Sequence, residues 1–174
     1  MIVGENLKEL IKKYSIVRET AFDKTCIKLT LDAAILKYKV PDTVVVNYDM
    51  TNVEKLVNKK VLKRDVGYTL EPRECILGCS AEEIKMPVFC FGLLQTKGSL
   101  ARLFVSINSA DGQIDPGYEG KITFEIYNAS DFKINIKPGQ AVGNLYLFKT
   151  STAVPPYEGR YANAKIPTHT IIDS

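Results

Sequence analysis

Short segments in which apolar and polar residues alternate are the feature that most limits how this chain can fold. In KITFEIYN, residues 121–128, Ile122, Phe124 and Ile126 take every second position and polar residues stand between them. Successive side chains of a β-strand point to opposite faces of a sheet, so this pattern predicts a strand with one buried face. A strand of this kind is stable only with partners, which further segments must supply.

Segments of similar length recur along the chain and are separated by turns that contain glycine or proline. They are CIKLTL (26–31), TVVVNYDM (43–50), the two halves of GYTLEPRECILGC (67–79), PVFCFGLLQ (87–95), FKINI (132–136) and AVGNLYLF (141–148). Many short strands at this spacing predict a mainly β protein, either a sandwich or a barrel. We interpret residues 98–126 as strand, turn and strand, with the turn at Pro116 and Gly117.

The two ends of the chain lack this alternation. Apolar residues at positions 7, 10, 11 and 14 recur at helical spacing, which predicts a short helix within residues 1–20, and Asn6 with Glu9 fits a capping box. The tail, residues 149–174, holds three of the eight prolines together with Tyr157 and Tyr161. We predict one domain of 174 residues, on which the tail docks as an arm.

Composition and charge restrict the location and the partners of the protein. A net charge of +3 is too weak to indicate nucleic-acid binding. No apolar run has the length of a membrane span, and the N-terminus lacks the pattern of a signal peptide. We therefore expect a cytoplasmic protein with no membrane or nucleic-acid partner, whose four cysteines are free thiols.

The residues that bind zinc are too few to predict a metal site. The sequence has one histidine, His169, and one close pair of cysteines, Cys75 and Cys79 in CILGC. A zinc site needs three or four such ligands in one cluster. The sequence therefore predicts no bound transition metal.

Charged residues are frequent in the strand-rich stretch 98–126, and two interpretations of them stay open. Arg102, Asp115 and Glu125 belong to this stretch. They either lie on solvent-exposed faces, where ion pairs contribute less than about 1 kcal/mol, or form a polar site on a rigid sheet. In the second interpretation Glu125 is a general base and Arg102 an anchor for phosphates.

Four sequence blocks, in this order, resemble one protein family. They are LEPRECILGCSAEEIKMP (70–87), KGSLARL (97–103), GQIDPGYEGKITFEIYN (112–128) and KPGQAVGNLYLF (137–148). They are similar to the dCTP deaminase family of the deoxyuridine triphosphatase-like superfamily. The resemblance implies a mainly β, distorted β-barrel or jelly-roll-like fold, a homotrimer, and active sites shared between neighbouring subunits. It also implies hydrolysis of dCTP to dUTP and ammonia without zinc, with Mg²⁺ bound only through the triphosphate.

The resemblance also implies roles for individual residues. Glu125 falls on the catalytic glutamate, and Arg102 lies near the attacking water and the phosphates. Asp115 receives the sugar 3′-hydroxyl, and Thr123 with Phe124 addresses the base. The nucleotide-binding residues implied in this way are Lys97, Gly98, Ser99, Leu100, Ala101, Arg102, Asp115, Thr123, Phe124, Glu125, Tyr157 and Arg160.

Four departures from the family pattern keep other functions open. Gly98 stands where the family has a serine that positions water, Asp111 replaces a small residue, and Asn144 and Ala164 replace glutamines. One alternative is a catalytically impaired regulatory trimer that binds dCTP, dUTP or dTTP. The other is a dUTP pyrophosphatase, or a bifunctional deaminase and pyrophosphatase, in which Asp115 activates water toward the α-phosphate.

Overall fold

Antiparallel β-strands make up most of the secondary structure. The structure is a computed structural model, and it describes residues 1–47 and 52–171. The strands are β1 Phe22–Asp23, β2 Cys26–Thr30, β3 Ala34–Tyr38, β4 Val57–Val61, β5 Tyr68–Leu70, β6 Cys75–Lys85, β7 Cys90–Thr96, β8 Val105–Ser106, β9 Gln113–Ile114, β10 Glu119–Asn128, β11 Ile134–Ile136 and β12 Ala141–Lys149. The helices are α1 Gly4–Tyr14 and α2 Gly98–Ala101, and two 3₁₀ turns span Glu19–Ala21 and Val53–Leu56.

The strands form two five-stranded sheets and a two-stranded ribbon. The first sheet has the order β1-β2-β12-β7-β9, the second has the order β4-β3-β6-β10-β8, and β11 pairs with β5 in the ribbon. Strands that are distant in sequence lie side by side, as β12 does between β2 and β7. The predicted mainly β class is confirmed, and the two sheets are open rather than closed into one barrel.

The hydrophobic core lies between the two sheets. Leu29, Leu94 and Leu145 of the first sheet and Ile76 and Phe124 of the second belong to one buried cluster, each at most 3% exposed. Along β10 buried and half-buried residues alternate, as the sequence pattern predicts. The half-buried face of β10 carries polar side chains, so the core positions these side chains on a rigid strand.

The N-terminal helix is present, but the predicted capping box is wrong. The helix begins at Gly4, so Asn6 and Glu9 lie inside it, and Val3 at the N-cap position makes no side-chain capping bond. Its C-terminal cap, Ser15, adopts the left-handed conformation at φ 50°. The buried side chains of Leu7 and Ile11 attach the helix to the core. In the part of the chain that the structure describes, no helix could cross a membrane.

Two predicted strands are wrong or incomplete. Residues 98–101 form the one-turn helix α2 and not a strand, because the N–H groups of Ala101 and Arg102 bond to the carbonyls of Lys97 and Gly98. Residues 44–47 carry no strand, and residues 48–50 of the same predicted strand lie outside the described residues. The turn predicted at Pro116 and Gly117 is confirmed, and Gly117 has the positive φ of 78° that favours glycine.

Candidate active site

A pocket of about 410 Å³ lies on the polar face of β10. Strands of both sheets, the connection from β8 to β10, and the tail form its wall. The residues that line it are Tyr38, Leu77, Leu94, Asp111, Gln113, Ile114, Asp115, Tyr118, Ile122, Thr123, Glu125, Tyr157, Tyr161, Thr168, His169 and Thr170. Its volume is typical of small-molecule sites in proteins.

Glu125 presents a carboxylate to this pocket. It lies opposite Leu77 of β6, on the half-buried face of β10 that Thr123 shares. The N–H of Ala110 donates to Oε2 of Glu125 at 2.8 Å. Among residues 1–47 and 52–171, Oε1 of Glu125 has no hydrogen-bond partner. A carboxylate with one oxygen held and the other open to a pocket can accept a proton from a bound molecule.

Thr123 connects the pocket to the tail. Its hydroxyl oxygen accepts the N–H of Thr168 at 3.1 Å, and the two threonine hydroxyls lie 3.4 Å apart. The N–H of Thr170 reaches the hydroxyl of Tyr38 on β3 at 3.3 Å. Residues 168–170 therefore run from Thr123 on β10 to Tyr38 on β3 and line the same pocket as Glu125.

Asp115 and Tyr157 meet at the turn that follows β9. Asp115 is exposed, and its carbonyl accepts the N–H of Tyr118 at 3.1 Å, which closes the turn. The N–H of Tyr157 donates to the carbonyl of Pro116 at 3.1 Å, and the Tyr157 ring packs on Tyr118 with centroids 5.8 Å apart. The turn therefore brings a carboxylate and an aromatic ring from the tail to one end of the pocket.

The predicted phosphate-binding segment lies elsewhere in this chain. Lys97, Gly98, Ser99, Leu100, Ala101 and Arg102 do not line the pocket. The N–H of Lys97 donates to the carbonyl of Val142 at 2.8 Å, and Arg102 ends α2 as an exposed side chain. Among the described residues, no ion pair links Arg102 to Glu125. A Cβ on Gly98 would lie 3.3 Å from Nη1 of Arg102, so the guanidinium extends back over α2.

Phe124 and Arg160 are also absent from the described lining of the pocket. Phe124 is fully buried on the core face of β10, where it supports the strand from below. Arg160 lies in the exposed tail and donates from Nη1 to the carbonyl of Ile171 at 2.7 Å. Of the site residues that the sequence indicated, the structure thus brings four together in the pocket: Asp115, Thr123, Glu125 and Tyr157.

Burial raises the pKa of two groups near the pocket, Tyr118 in its wall and Cys79 on β6. It raises the pKa of the Tyr118 phenol, whose hydroxyl donates to the carbonyl of Lys121 at 2.6 Å. It also raises the pKa of Cys79, the residue paired with Thr123 across β6 and β10, to about 12. The Cys79 thiol is therefore neutral at physiological pH and is a poor nucleophile. The predicted free thiols are confirmed, since Cys26, Cys75, Cys79 and Cys90 form no disulfide.

Sequence reasoning missed the residues that reach the pocket from distant positions. Tyr38 and Leu77 come from β3 and β6, and Thr168 with Thr170 comes from the end of the tail. Leu77 lies in one of the four blocks but was given no role there, and Tyr38, Thr168 and Thr170 lie outside all four. Of the tail residues that line the pocket, the sequence singled out Tyr157 and Tyr161, through the aromatic content of the tail. Over residues 1–47 and 52–171, no three Cys, His, Asp or Glu side chains are grouped as metal ligands.

Comparison with known proteins assigns the family. A profile described as dCTP deaminase-like matches residues 2–150, which include every strand of both sheets. The chain belongs to the dCTP deaminase-like family. This confirms the resemblance drawn from the four sequence blocks.

The relatives within this family are matched over part of their length. The chain is 40% identical over 99 residues to the "dCTP deaminase, dUMP-forming" of Corynebacterium diphtheriae, which covers 56% of this chain and 53% of that protein. It is 38% identical over 104 residues to the protein of the same name from Persephonella marina, covering 59% and 57%. The chain thus spans little more than half the length of these relatives.

A solved structure has the same fold. It is the 2′-deoxycytidine 5′-triphosphate deaminase from Agrobacterium tumefaciens, with a TM-score of 0.65 and 16% sequence identity, and the match covers 84% of this chain and 47% of that one. At this identity the likeness concerns the fold alone. It confirms the mainly β fold with a short N-terminal helix that the family resemblance implied, and the sheets of this chain are open.

Proposed function

We propose that the protein removes the 4-amino group of dCTP by hydrolysis, releasing ammonia and forming a deoxyuridine nucleotide. The observation that carries this proposal is the Glu125 carboxylate, which faces the pocket with one oxygen held by the Ala110 N–H and the other open. Membership of the dCTP deaminase-like family supports the reaction class.

The proposed reaction needs one proton carrier. Water attacks C4 of the cytosine ring, and Glu125 accepts a proton of that water through its open oxygen. Glu125 then returns the proton to the amino nitrogen, and the tetrahedral intermediate releases ammonia. Water supplies the new carbonyl oxygen, and its second proton moves from the C4 hydroxyl to N3 of the ring. The base thereby becomes uracil, and Glu125 ends in its starting state. No zinc takes part.

Other groups of the pocket suit the sugar and the base. Asp115 offers a carboxylate to the 3′-hydroxyl at the exposed end of β9. Thr123 offers its hydroxyl and backbone to the base, with Phe124 buried beneath it. Tyr157 offers an aromatic ring from the tail, beside the same turn.

The triphosphate needs positive charge that this pocket lacks. Its described lining includes Asp111, Asp115 and Glu125 but neither Lys nor Arg. We propose that residues 97–102 of a neighbouring subunit in a homotrimer supply it, through the cations of Lys97 and Arg102 and the hydroxyl and backbone N–H groups between them. Mg²⁺ accompanies the triphosphate of the substrate. The proposal locates the protein in the cytoplasm, with the free deoxynucleotides.

Two products are compatible with this chemistry. Deamination alone yields dUTP, whereas a second hydrolysis at the α-phosphate releases pyrophosphate and yields dUMP. The relatives described above are named dUMP-forming, and Asp115 is the candidate to direct the second water. Chromatography of the products of dCTP turnover, and separately of dUTP turnover, distinguishes a deaminase from a bifunctional enzyme.

Replacement of Glu125 by Gln tests the deaminase proposal. Glutamine keeps the size of the side chain and removes the basic oxygen, so we expect the rate of ammonia release from dCTP to fall about 10²- to 10⁴-fold. Binding of dCTP, measured by calorimetry, is expected to change little. The matched control is Glu119→Gln on the same strand, where an exposed carboxylate pairs with Lys85 and should not matter for the rate.

Two results would contradict the proposal in different ways. Equal deamination rates for Glu125→Gln and wild type would remove Glu125 from the catalytic role. Wild-type protein that binds dCTP or dUTP without converting either would favour the regulatory trimer. The absence of a hydroxyl at Gly98, where the family has a serine, would account for the second result.

A further inference from the structure

The loop of residues 107–112 contacts Glu125 at three points. The Ala110 N–H donates to its carboxylate at 2.8 Å, and the Ser109 hydroxyl donates to its backbone carbonyl at 3.0 Å. The N–H of Glu125 in turn donates to the carbonyl of Ile107 at 2.9 Å. The orientation of the Glu125 carboxylate therefore depends on the position of the 107–112 loop.

Thr96 and Asn108 attach this loop to β7 in the other sheet. The Thr96 hydroxyl accepts the N–H of Ile107 at 3.0 Å and donates its own hydrogen to Oδ1 of Asn108 at 3.0 Å. The amide of Asn108 donates to the carbonyl of Leu94 at 3.0 Å. All three contacts are partly buried, where water competes less for the same donors and acceptors.

We propose that Thr96 and Asn108 are positioning residues, which hold the 107–112 loop so that the Ala110 N–H orients Glu125 for proton transfer. This inference rests on the proposed function for its catalytic meaning. Neither side chain lines the pocket, so neither contacts the nucleotide within one chain. They act through the loop, and the loop acts on the carboxylate.

The chemistry of threonine suits this position. One hydroxyl has a single hydrogen and free lone pairs, and here it uses both, for Asn108 and for Ile107. One side chain thereby fixes two successive loop residues. Ala110 is only two residues beyond Asn108. Movement of Asn108 would therefore displace the Ala110 N–H, which donates to the Glu125 carboxylate. With Oε2 held, Oε1 stays open to the pocket.

The first test compares two substitutions of Thr96. Thr96→Val keeps the shape and removes the hydroxyl, whereas Thr96→Ser keeps the hydroxyl. Misplacement of a reacting group acts on the chemical step, so we expect kcat for dCTP to fall about 10- to 100-fold in Thr96→Val. KM should stay within about threefold of wild type. Thr96→Ser should retain most of the wild-type kcat. A role of Thr96 in packing alone does not predict this difference between the two variants.

A second substitution and a control accompany this test. Asn108→Ala should lower kcat in the same way, and its effect should not multiply with that of Thr96→Val because both act on one network. Asn135→Ala is the matched control, since this amide also bonds to a backbone carbonyl and a threonine hydroxyl, of Val66 at 3.2 Å and Thr69 at 3.1 Å. It belongs to the β5–β11 ribbon and should leave kcat unchanged.

Hydrogen exchange of the Ala110 amide, followed by NMR, tests the positioning without any turnover. Thr96→Val and Asn108→Ala should each speed this exchange by about tenfold or more, while Thr96→Ser and Asn135→Ala leave it as in wild type. If Thr96→Val does not fold, Asn108→Ala decides. Unchanged exchange in the folded variants would overturn the inference, as would a loss that appears in KM alone. If wild type deaminates nothing, the proposed function fails, and exchange alone decides the positioning.

Discussion

Asp32 and Lys121 form an ion pair beside the pocket, on the face of β10 that also carries Thr123 and Glu125. The two side chains are 22% and 18% exposed, and Asp32 also accepts the N–H groups of Ala33 and Ala34. Burial disfavours the charged form of Asp32, but the hydrogen bonds from Lys121 and from the backbone outweigh it. The pKa of Asp32 is therefore held below its ordinary value.

This pair makes stability depend on pH in a defined direction. A carboxyl whose pKa is lowered by folding contributes fully above its ordinary pKa, 3.8 for Asp32, and loses that contribution as the pH falls through the lower folded-state pKa. We expect Asp32→Asn to lower the free energy of unfolding by about 1–3 kcal/mol at pH 7. In denaturant titrations the difference from wild type should shrink progressively below about pH 4.

An exposed pair elsewhere in the protein provides the control. Asp131 pairs with Arg73, with side chains 88% and 61% exposed. Asp131→Asn should leave the free energy of unfolding close to that of wild type at every pH, because water screens exposed pairs. A difference between Asp32→Asn and wild type that is the same at neutral and at acidic pH would exclude the charge as its cause.

At the scale of single elements, the tail is important for the pocket because it forms part of the pocket wall. It runs beside β10 and pairs with it in parallel at Gly120 and Ala164, with the N–H of Lys121 bonded to the carbonyl of Ala164 at 2.8 Å. Gly120 has a φ of 134°, and a Cβ there would lie 2.7 Å from the backbone nitrogen of Ala164. The close approach of the tail therefore depends on this glycine.

Gly120→Ala should release the tail. The substitution combines backbone strain of about 1–3 kcal/mol with a collision against the tail. We expect faster tryptic cleavage after Arg160 and Lys165, and weaker nucleotide binding because Tyr157 and Thr168 leave the pocket. Gly4→Ala is the matched control, since Gly4 also has a positive φ, 60°, but has open space around its Cβ position. Equal cleavage of Gly120→Ala and wild type would show that the tail is held without this contact.

At the scale of the whole molecule, the acidic pocket and the basic segment 97–102 occupy different parts of one chain. If neighbouring subunits join them, the protein in solution should be a trimer. Light scattering is expected to give about three times the 19.4 kDa mass of the chain. A monomer mass at micromolar concentration would contradict the shared site.

A mixing experiment tests the shared site directly. Glu125→Gln and Arg102→Gln should each be inactive as pure proteins. Co-expressed in equal amounts, the two variants assemble at random, and about a quarter of all sites then combine an intact Glu125 with a neighbour's intact Arg102. Activity should therefore reappear in the mixture. No recovery in verified mixed trimers would mean that both residues serve a site within one subunit.

The strand pattern and the ordered blocks were enough to predict the fold class and the family. Alternation along β10 is a local property, because each side chain takes its face from the strand geometry alone. The predicted strand over residues 98–101 was wrong because backbone bonds within Lys97–Arg102 close a helical turn there. The prediction of a capping box at Asn6 and Glu9 was wrong because the motif alone does not determine at which residue the helix begins.

The sequence by itself determined which face of β10 is polar and that Asp115 follows a strand at a proline–glycine turn. Only the tertiary structure decided what meets that face. Thr123 contacts Thr168, 45 residues away, and Tyr38 contacts Thr170, 132 residues away. The physical reason is that such contacts arise where the sheets and the tail converge, at sequence separations that no local pattern encodes. Arg102 and Glu125 are only 23 positions apart in the sequence. For the same reason, their separation in space followed from the path of α2 and β8 and not from this spacing.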